Sequence, residues 1–462
     1  MRNVHDNILT CVGNTPIVRL NRLGEGLKAN IMVKLEMMNP GGSIKDRIAL
    51  KIIDDAEQSG DLRPGSTIVE GTSGNTGAGL AMVAAIRGYH TTFVMPDKQS
   101  EEKRAALRAY GSRVVITPTA VEPEDPNSYY SVSDRLGNED GAYFANQYHN
   151  PSNPQTHYES TGPEIYEQLD GKIDVLICGM GTGGTISGIG RYLKEQNPNI
   201  KIVGVDPIGS LYYDYFHTGQ MTEAHSYVVE GIGEDFMPST VDWEFIDDVV
   251  RVNDKECFQM TRRIVREEGV FCGGSSGAAV AGALRWVRNN DAEGLNVLII
   301  LPDSGSRYLS KIFNDSWMKE GGFLAADASL GCVRDLMRTR SDGREMVSVL
   351  ADATVTEVVG LLKLHGISQM PVVTGENRLL GLLTESALLS RALSGGNRSE
   401  RVGSLVQANF CTVTIETEIT LVTSLFSRSK VAFILDEEDK LVDIITRIDL
   451  IDYISKKTGG AK

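Results

Sequence analysis

The fold is decided by one stretch of sequence, Lys34-Leu-Glu-Met-Met-Asn-Pro-Gly-Gly-Ser-Ile-Lys45-Asp-Arg47. The apolar run Ile31–Glu36 predicts a buried strand, which the Asn-Pro-Gly-Gly segment ends. Ser43 is a favourable N-cap residue, so a helix is expected to follow it, with Lys45 in the first turn. A cation is disfavoured at that end of the helix dipole. Lys45 is therefore interpreted either as an ordinary solvated lysine or as an amine of lowered pKa that forms a Schiff base.

The composition is that of a globular α/β protein. The chain has 462 residues, of which 41% are hydrophobic and 23% charged, and this length predicts two or three domains. The net charge of −15 argues against nucleic acid or an anionic membrane surface as the main partner. No apolar run is long enough to span a membrane, and the residues after Met1 contain no apolar signal core.

Cysteine usage predicts a reduced, cytoplasmic protein. The six cysteines form no Cys-x-x-Cys pair, which fits neither a disulfide framework nor a zinc site, so no metal centre is expected. These cysteines are Cys11, Cys178, Cys257, Cys272, Cys332 and Cys411.

Residues 1–320 alternate strand-like and helix-like segments, and the strands are continuous Val/Ile runs. This pattern predicts parallel sheets covered by helices on both faces, with ligands at the carboxyl ends of the strands. Three glycine-rich loops, Gly71–Gly77, Gly181–Thr185 and Cys272–Gly277, open helices at such ends. Free N–H groups and hydroxyls at helix starts bind anions, although ordinary tight turns have the same composition. The Gly181–Thr185 loop matches neither a Walker A motif nor a dinucleotide fingerprint, and it suits a single phosphate monoester.

The sequence changes in character at residues 321–330, where the glycine loops stop and two similar units follow. Met346–Leu393 and Cys411–Tyr453 each contain a strand, a charged turn, a second strand ending in threonine, and a helix. Repeats of this kind stack and bury a shared face. The sequence therefore predicts one domain over residues 1–320, a linker over 321–330, and an α+β domain over 331–462.

The motifs resemble those of the fold-type II pyridoxal-phosphate (PLP) enzymes of the cysteine synthase and cystathionine β-synthase family, and they follow one another along the chain in the same order. The resemblance implies an α/β catalytic domain like the tryptophan synthase β-subunit, with two subdomains of parallel sheet. The two C-terminal units, about residues 331–395 and 400–455, resemble the paired CBS domains of a Bateman module. The second unit departs from the first, because it has Asp443 in place of Gly381 and lacks the proline of Met370-Pro371.

The resemblance implies a role for each loop. Lys45 would hold PLP as a Schiff base and then move the α-proton of the substrate. The other cofactor-binding residues would be Asn75 at the ring oxygen, Ser275 at the ring nitrogen, and Gly181, Thr182, Gly183, Gly184 and Thr185 around the phosphate. The carboxylate of the substrate would be bound by Thr72, Ser73, Thr76 and Gln147, and the further substrate-binding residues would be Gly74, Tyr148 and Glu230. Without the resemblance, Ser275 is equally an N-cap, and Gln147 and Tyr148 belong to a structural loop.

The segment Glu230-Gly-Ile-Gly-Glu234-Asp-Phe236 bears on the choice of reaction. Glu230 and the Asp-Phe pair match the cystathionine-forming members, as does Pro302-Asp303-Ser304, whereas Glu234 replaces their tyrosine. The resemblance thus implies condensation of L-serine with L-homocysteine to L-cystathionine and water, a transsulfuration step, with hydrogen sulfide release as a side activity. Two alternatives stay open: a cysteine synthase that uses O-acetylserine and sulfide, and a nucleotide-sensing binding protein whose enzyme half is inert.

Thr446 and Asp449 lie where such modules contact ribose, which implies S-adenosylmethionine or an adenosine nucleotide as a regulatory ligand. Asp449 could equally cap the final helix, and the module could serve only in assembly. The resemblance also implies a homodimer or homotetramer. No haem is expected, because the family's haem-binding N-terminal extension has no counterpart here.

Overall fold

The chain folds into two compact units, Met1–Leu324 and Ala325–Lys462. The computed structural model describes residues 4–97, 99–118, 121, 125–324, 330–340, 346–395, 397, 399–407, 410–426, 429–436 and 438–458.

Strands and helices alternate through the first unit. The strands are β1 (Ile17–Arg19), β2 (Asn30–Leu35), β3 (Thr67–Gly71), β4 (His90–Pro96), β5 (Arg113–Thr117), β6 (Ala142–Phe144), β7 (Val175–Gly179), β8 (Lys201–Pro207), β9 (Asp248–Val252) and β10 (Asn296–Leu301). The helices are α1 (Lys45–Ser59), α2 (Asn75–Arg87), α3 (Glu101–Ala109), α4 (Tyr129–Gly137), α5 (Ser152–Thr156), α6 (Gly162–Gln168), α7 (Gly184–Gln196), α8 (Tyr212–Thr218), α9 (Asp254–Arg263), α10 (Gly274–Asn289) and α11 (Asp315–Glu320).

The larger sheet has the strand order β1-β2-β10-β7-β8-β9, and β1 is antiparallel to its neighbour while the other pairs are parallel. Its central strands are buried on both faces, as their continuous apolar runs predict. In β10, Val297 and Ile299 pack with α10, whereas Leu298 and Ile300 pack with α7. The carboxyl ends of β7 and β10 therefore lie between these two helix layers.

The smaller sheet has the order β5-β4-β3-β6, and all its pairs are parallel. Helices α1 and α2 contribute the apolar residues that cover it, including Ile48, Ile52 and Leu80. Strand β3 leads directly into the Gly71–Gly77 loop and α2. Both sheets thus present a glycine loop and a helix start at a strand's carboxyl end.

Helix α1 begins at Lys45 itself, so Ser43 is not its N-cap. The two residues before the helix are bound to the end of β10: Ser43 forms a bridge with Asp303, and the Ile44 N–H donates to the Pro302 carbonyl at 2.8 Å. The Ser43 hydroxyl still accepts from the Lys45 N–H, at 3.3 Å. This pairing fixes the position of Lys45 at the carboxyl end of β10.

A buried ion cluster holds α1 against β2 and α6. Arg47 pairs with Glu36 at 2.8 Å and with Glu164 at 2.8 Å, and Lys34 pairs with Glu164 at 2.5 Å. Although burial alone would raise the pKa of Glu164, Arg47 and Lys34 lower it to about 2. The two cations and two anions balance, which is the condition under which buried charges are tolerated.

The second unit repeats one small motif. Its strands are β11 (Val349–Leu350), β12 (Gln369–Val373), β13 (Leu379–Thr384), β14 (Cys411–Val413), β15 (Val431–Leu435) and β16 (Leu441–Thr446). Its helices are α12 (Val333–Thr339), α13 (Val355–His365), α14 (Glu385–Leu393), α15 (Ile419–Leu425) and α16 (Arg447–Thr458). Each sheet joins a parallel pair to an antiparallel pair. Val373 and Leu382 pack against Phe433, so the repeats share an apolar face.

Among the helices described, none combines the length and the apolar character that crossing a membrane requires.

Candidate active site

Lys45 and the Gly181–Thr185 loop line the same cavity. Loop residues Gly181, Thr182, Gly183 and Thr185 form one wall. Pro302 at the end of β10 and the Gly231-Ile232 segment form others. Two of the features that the sequence singled out are thus brought together at the carboxyl ends of β7 and β10.

Lys45 is partly buried in this cavity. Burial lowers the pKa of Lys45, and the nearby Cys178, Glu234 and Glu70 oppose that shift. A lysine amine whose pKa is lowered by desolvation becomes a better nucleophile and base at neutral pH. The environment therefore favours the second of the two interpretations of this lysine.

The Gly181–Thr185 loop packs so closely that side chains would not fit on its glycines. A Cβ on Gly183, whose φ is +86°, would collide with Val241, and a Cβ on Gly184 would collide with Asn153. The first N–H groups of α7, which begins at Gly184, have no partner within the helix. A close-packed loop leading into such a helix start can surround a phosphate group.

Asn153 and His157 support this loop, and sequence reasoning missed both. Asn153 donates to the Thr182 hydroxyl at 3.0 Å and to the Gln147 carbonyl at 2.8 Å. His157, in the π-helical turn His157–Thr161, lies 3.1 Å from the Thr185 hydroxyl. Burial lowers the pKa of His157, as do Lys45 and Arg47, so the ring is neutral. The sequence contains one sign of this arrangement, which is Gly188. Helix α7 approaches Pro154 and His157 so closely at this position that a side chain would not fit.

The predicted carboxylate-binding residues meet at the start of α2. The Thr76 hydroxyl donates to Gln147 Oε1 at 2.6 Å, and Gln147 Nε2 donates to the Gly71 carbonyl at 3.2 Å. The Thr72 hydroxyl accepts from the Gly74 N–H at 2.9 Å. Thr72, Gly74, Thr76 and Gln147 are buried, and Ser73 is partly exposed. The structure thus brings the Gly71–Gly77 loop and Gln147 into one polar cluster.

Tyr148 belongs to an aromatic wall rather than to this polar cluster. Its hydroxyl lies 3.1 Å from that of Tyr129, and its ring centroid lies 5.1 Å from that of Phe236. Tyr130 stacks edge-on against Phe236 and donates to Asp235 at 3.0 Å. Burial raises the pKa of Tyr148 far above its usual value, so its hydroxyl stays protonated. Tyr129 and Tyr130 were not singled out from the sequence, because they lie on α4, which the sequence did not predict.

Asn75 and Ser275 lie in the first turns of α2 and α10. Asn75 is the first residue of α2, and its Nδ2 donates to Asp303 Oδ2 at 2.9 Å. Ser275 is the second residue of α10 and is buried. The N-cap of that helix is Gly273, so the interpretation of Ser275 as an N-cap is wrong.

Glu230 has both carboxylate oxygens in ion pairs. One oxygen pairs with Lys103, and the other pairs with Lys311 at 2.6 Å. These lysines lower the pKa of Glu230 against the effect of burial. Lys103 packs against Gly74, so Glu230 is linked to the Gly71–Gly77 loop through a lysine. Direct contact of Glu230 with substrate stays a prediction.

Glu234 is held by its backbone beside the cavity. Its N–H donates to the Ser210 hydroxyl at 3.0 Å, and its carbonyl accepts from Leu211. The carboxylate acts on Lys45, whose pKa it raises, and on Tyr148. A negative charge therefore acts on the Lys45 amine from the position where Glu234 replaces the tyrosine of the cystathionine-forming members.

In the second unit, Asp449 caps α16. Its Oδ2 accepts from the Thr446 N–H and hydroxyl, both at 2.7 Å. Its Oδ1 pairs with Arg340 at 3.0 Å, and Arg340 also pairs with Asp443 at 2.9 Å. The Asp443 that distinguishes the second repeat therefore helps to hold an arginine on the predicted ligand residue.

The residues of the first unit fit a PLP cofactor. A lysine of lowered pKa lines a cavity beside a close-packed glycine loop that leads into the start of α7, where free N–H groups can bind a phosphate. Asn75 Oδ1 is buried, and among the described residues it has no hydrogen-bond partner. Such a group is expected where a ligand completes the site.

Comparison with known families matches residues 8–303 to "Pyridoxal-phosphate dependent enzyme", and residues 333–394 and 402–456 to "CBS domain". A cystathionine β-synthase of Dictyostelium discoideum is 38% identical, over 98% of this chain and 93% of its own length. That of Mus musculus is 40% identical, over 94% of this chain and 78% of its own.

Two further relatives match only the first part of the chain. A cysteine synthase of Staphylococcus aureus is 42% identical over 66% of this chain and 96% of its own. The crystal structure of a hydrogen sulfide-producing enzyme of Fusobacterium nucleatum, 37% identical, superposes with a TM-score of 0.62 over 66% of this chain and all of its own. The fold is therefore that of the fold-type II PLP enzymes, followed by tandem CBS domains. The chain belongs to the cystathionine β-synthase family of PLP-dependent enzymes.

Proposed function

We propose that the protein condenses L-serine with L-homocysteine to give L-cystathionine and water. The observation that carries this proposal is the position of Lys45, with its lowered pKa, in a cavity walled by the Gly181–Thr185 loop. Similarity to cystathionine β-synthases over nearly the whole chain supports this choice of reaction.

Each loop of the site has a task in this reaction. Bound PLP supplies an electron sink that labilises the α-proton and the β-substituent of an amino acid. Residues 181–185 hold its phosphate, Asn75 binds the ring oxygen, and Ser275 faces the ring nitrogen. The substrate carboxylate is bound by the Gly71–Gly77 loop and Gln147, where Thr76 already provides a polar cluster.

Lys45 moves the protons of the reaction. With its pKa lowered by burial, it takes the α-proton of serine. It then delivers a proton to the β-hydroxyl, which leaves as water. The sulfur of homocysteine bonds to Cβ in its place, and the proton that the thiol gives up is returned to Cα through the Lys45 amine. Glu234 raises the pKa of Lys45 and so stabilises the ammonium form between these two transfers.

The test compares two substrate pairs with the PLP-loaded protein. We expect a higher kcat/KM for serine with homocysteine than for O-acetylserine with sulfide. Lys45→Ala should abolish both reactions and the covalent cofactor absorbance. Preference for O-acetylserine with sulfide would overturn the proposal, and a wild-type protein that binds no PLP would indicate a binding protein with an inert enzyme half.

A cysteine synthase is the second candidate. It is supported by the 42% identity to the Staphylococcus aureus enzyme, which extends over 66% of this chain. The same site could also release hydrogen sulfide from cysteine, since only the leaving group changes. Measuring sulfide release from cysteine alone, alongside the two-pair assay, separates these activities.

For the second unit, we propose an adenosine-containing ligand, S-adenosylmethionine or a nucleotide, near Thr446 and Asp449. The family supports a homodimer or homotetramer, and the free state of the six cysteines supports a cytoplasmic location. Calorimetric titration of the full-length protein with S-adenosylmethionine tests the ligand, and absence of a binding signal would remove it as an effector.

A further inference from the structure

Asp303 joins three segments of the candidate active site. It follows β10 and is fully buried. Its backbone bridges to Ser43, two residues before Lys45, and accepts from the Gly273 N–H at 3.1 Å, two residues before Ser275. Its side chain reaches Asn75 on α2. The segments that carry the amine and the groups for the ring nitrogen and ring oxygen thus meet at one residue.

The carboxyl group of Asp303 fixes the amide of Asn75. Asp303 Oδ2 accepts from Asn75 Nδ2 at 2.9 Å and from the Tyr308 hydroxyl at 2.6 Å. Burial and the neighbouring acidic groups raise the pKa of Tyr308 well above its usual value, so this hydroxyl remains a donor. A carboxylate only accepts hydrogen bonds, and it therefore selects the NH₂ side of an amide over its oxygen.

Tyr308 is itself held in place. It is 2% exposed, and the ammonium of Lys103 lies 4.7 Å from its ring centroid. Lys103 pairs with Glu230, which also pairs with Lys311. A chain of contacts therefore leads from Glu230 through Lys103 and Tyr308 to Asp303. These contacts give Glu230 a structural role in the site that requires no contact with substrate.

We propose that Asp303, with Tyr308, is a positioning residue that orients the Asn75 amide so that its remaining N–H points to the ring oxygen of bound PLP. The proposal rests on the function proposed above. One N–H of Asn75 is fixed on Asp303, and the planar amide then directs the other N–H at a set angle. A donor held there favours the deprotonated ring oxygen, because hydrogen bonds to a charged acceptor are the stronger ones.

The test reads the absorption bands of bound PLP that report whether the ring oxygen is protonated. Asp303→Ala should shift the ratio of the bands about fivefold towards the protonated form, as expected for the loss of one hydrogen bond. Asp303→Asn keeps an acceptor and should restore part of the ratio. Tyr308→Phe keeps the aromatic ring and should shift the band ratio in the same direction by a smaller amount. If Asp303→Ala does not fold, the result with Tyr308→Phe decides the test.

Two controls show whether the effect passes through Asn75. In an Asn75→Ala background, neither the Asp303 nor the Tyr308 substitution should change the ratio further. Tyr89→Phe removes a comparable bond, 2.8 Å to Glu57, on the surface, and it should leave the ratio unchanged. Wild-type ratios in the Asp303 and Tyr308 variants, or equal shifts with and without Asn75, would overturn the proposal. A wild-type protein with no bound PLP would instead contradict the proposed function.

Discussion

Lys45 lies among groups that move its pKa in opposite directions. Burial lowers this pKa, whereas Cys178, Glu234 and Glu70 raise it. Burial is the largest effect, so the amine is easier to deprotonate than a surface lysine. Glu234 differs from the other two groups because its position carries a neutral tyrosine in the family, and its charge is a property of this chain.

Glu234→Gln should therefore lower the pKa of Lys45 further, because a negative charge that stabilises the ammonium form is removed. PLP reacts with the unprotonated amine, so the pH profile of PLP uptake by the cofactor-free protein should move to lower pH. The rate of uptake as a function of pH measures this.

Asp235→Asn is the matched control for Glu234→Gln. Asp235 is the exposed neighbour of Glu234 and is not among the groups that act on Lys45, so its profile should coincide with that of the wild type. An unchanged or upward-shifted profile in Glu234→Gln would contradict the assigned charge effect.

At the scale of elements, α1 is placed by contacts at its N-terminal end rather than by a side-chain cap. The residues before it are bound to the end of β10, and Arg47 in its first turns is held by Glu36 and Glu164. The cluster therefore fixes the rotation of the helix that carries Lys45. The contribution of this ion cluster to stability depends on every member being present, because removing one partner leaves an uncompensated buried charge.

Arg47→Met should accordingly destabilise the first unit by about 3–5 kcal/mol. Denaturant unfolding followed by tryptophan fluorescence measures the loss, since the chain's tryptophans, Trp243, Trp286 and Trp317, lie in the first unit. Arg263→Met is the control, because the Arg263–Glu267 pair is exposed and should be worth less than about 1 kcal/mol. Equal losses of unfolding free energy in the two variants would show that the buried cluster contributes no more to stability than an exposed ion pair does.

The long alternating pattern and the glycine loops could be read from the sequence, because strand runs and helix starts are local features. Short or irregular elements could not. β1 has only three residues, α4 opens with weak helix formers, and a π-helical turn separates α5 from α6. Asp303 and His157 gain their site contacts from residues far away in the chain, which no local pattern reports.

At the scale of the whole molecule, stability depends on pH through buried acids. Burial raises the pKa of Asp206 to about 7, that of Asp46 to about 7, and that of Glu70 to about 8. The folded protein keeps protons that the unfolded chain releases near pH 4. The free energy of unfolding should therefore fall as the pH rises from about 4 to about 8.

Asp206→Asn isolates one of these contributions. The asparagine cannot ionise and can still accept from the Tyr213 N–H, which Asp206 now binds at 2.9 Å. The difference in unfolding free energy between the variant and the wild type should increase in favour of the variant from pH 4 to pH 7, by at most about 4 kcal/mol for a shift of about three pKa units. Above pH 7 this difference should stay constant. Urea unfolding across this pH range tests it, and a constant difference between the proteins would exclude the assigned titration.

The arginine bound to Asp449 has a consequence for any ligand that needs that carboxylate. Such a ligand competes with the guanidinium group of Arg340, so it binds only those protein molecules in which Arg340 has been released from Asp449. Its apparent dissociation constant is then the intrinsic one divided by the released fraction. Sensitivity to the ligand would thus be set by the strength of an internal ion pair as well as by the pocket. Arg340 and Asp443 would tune the response without touching the bound molecule.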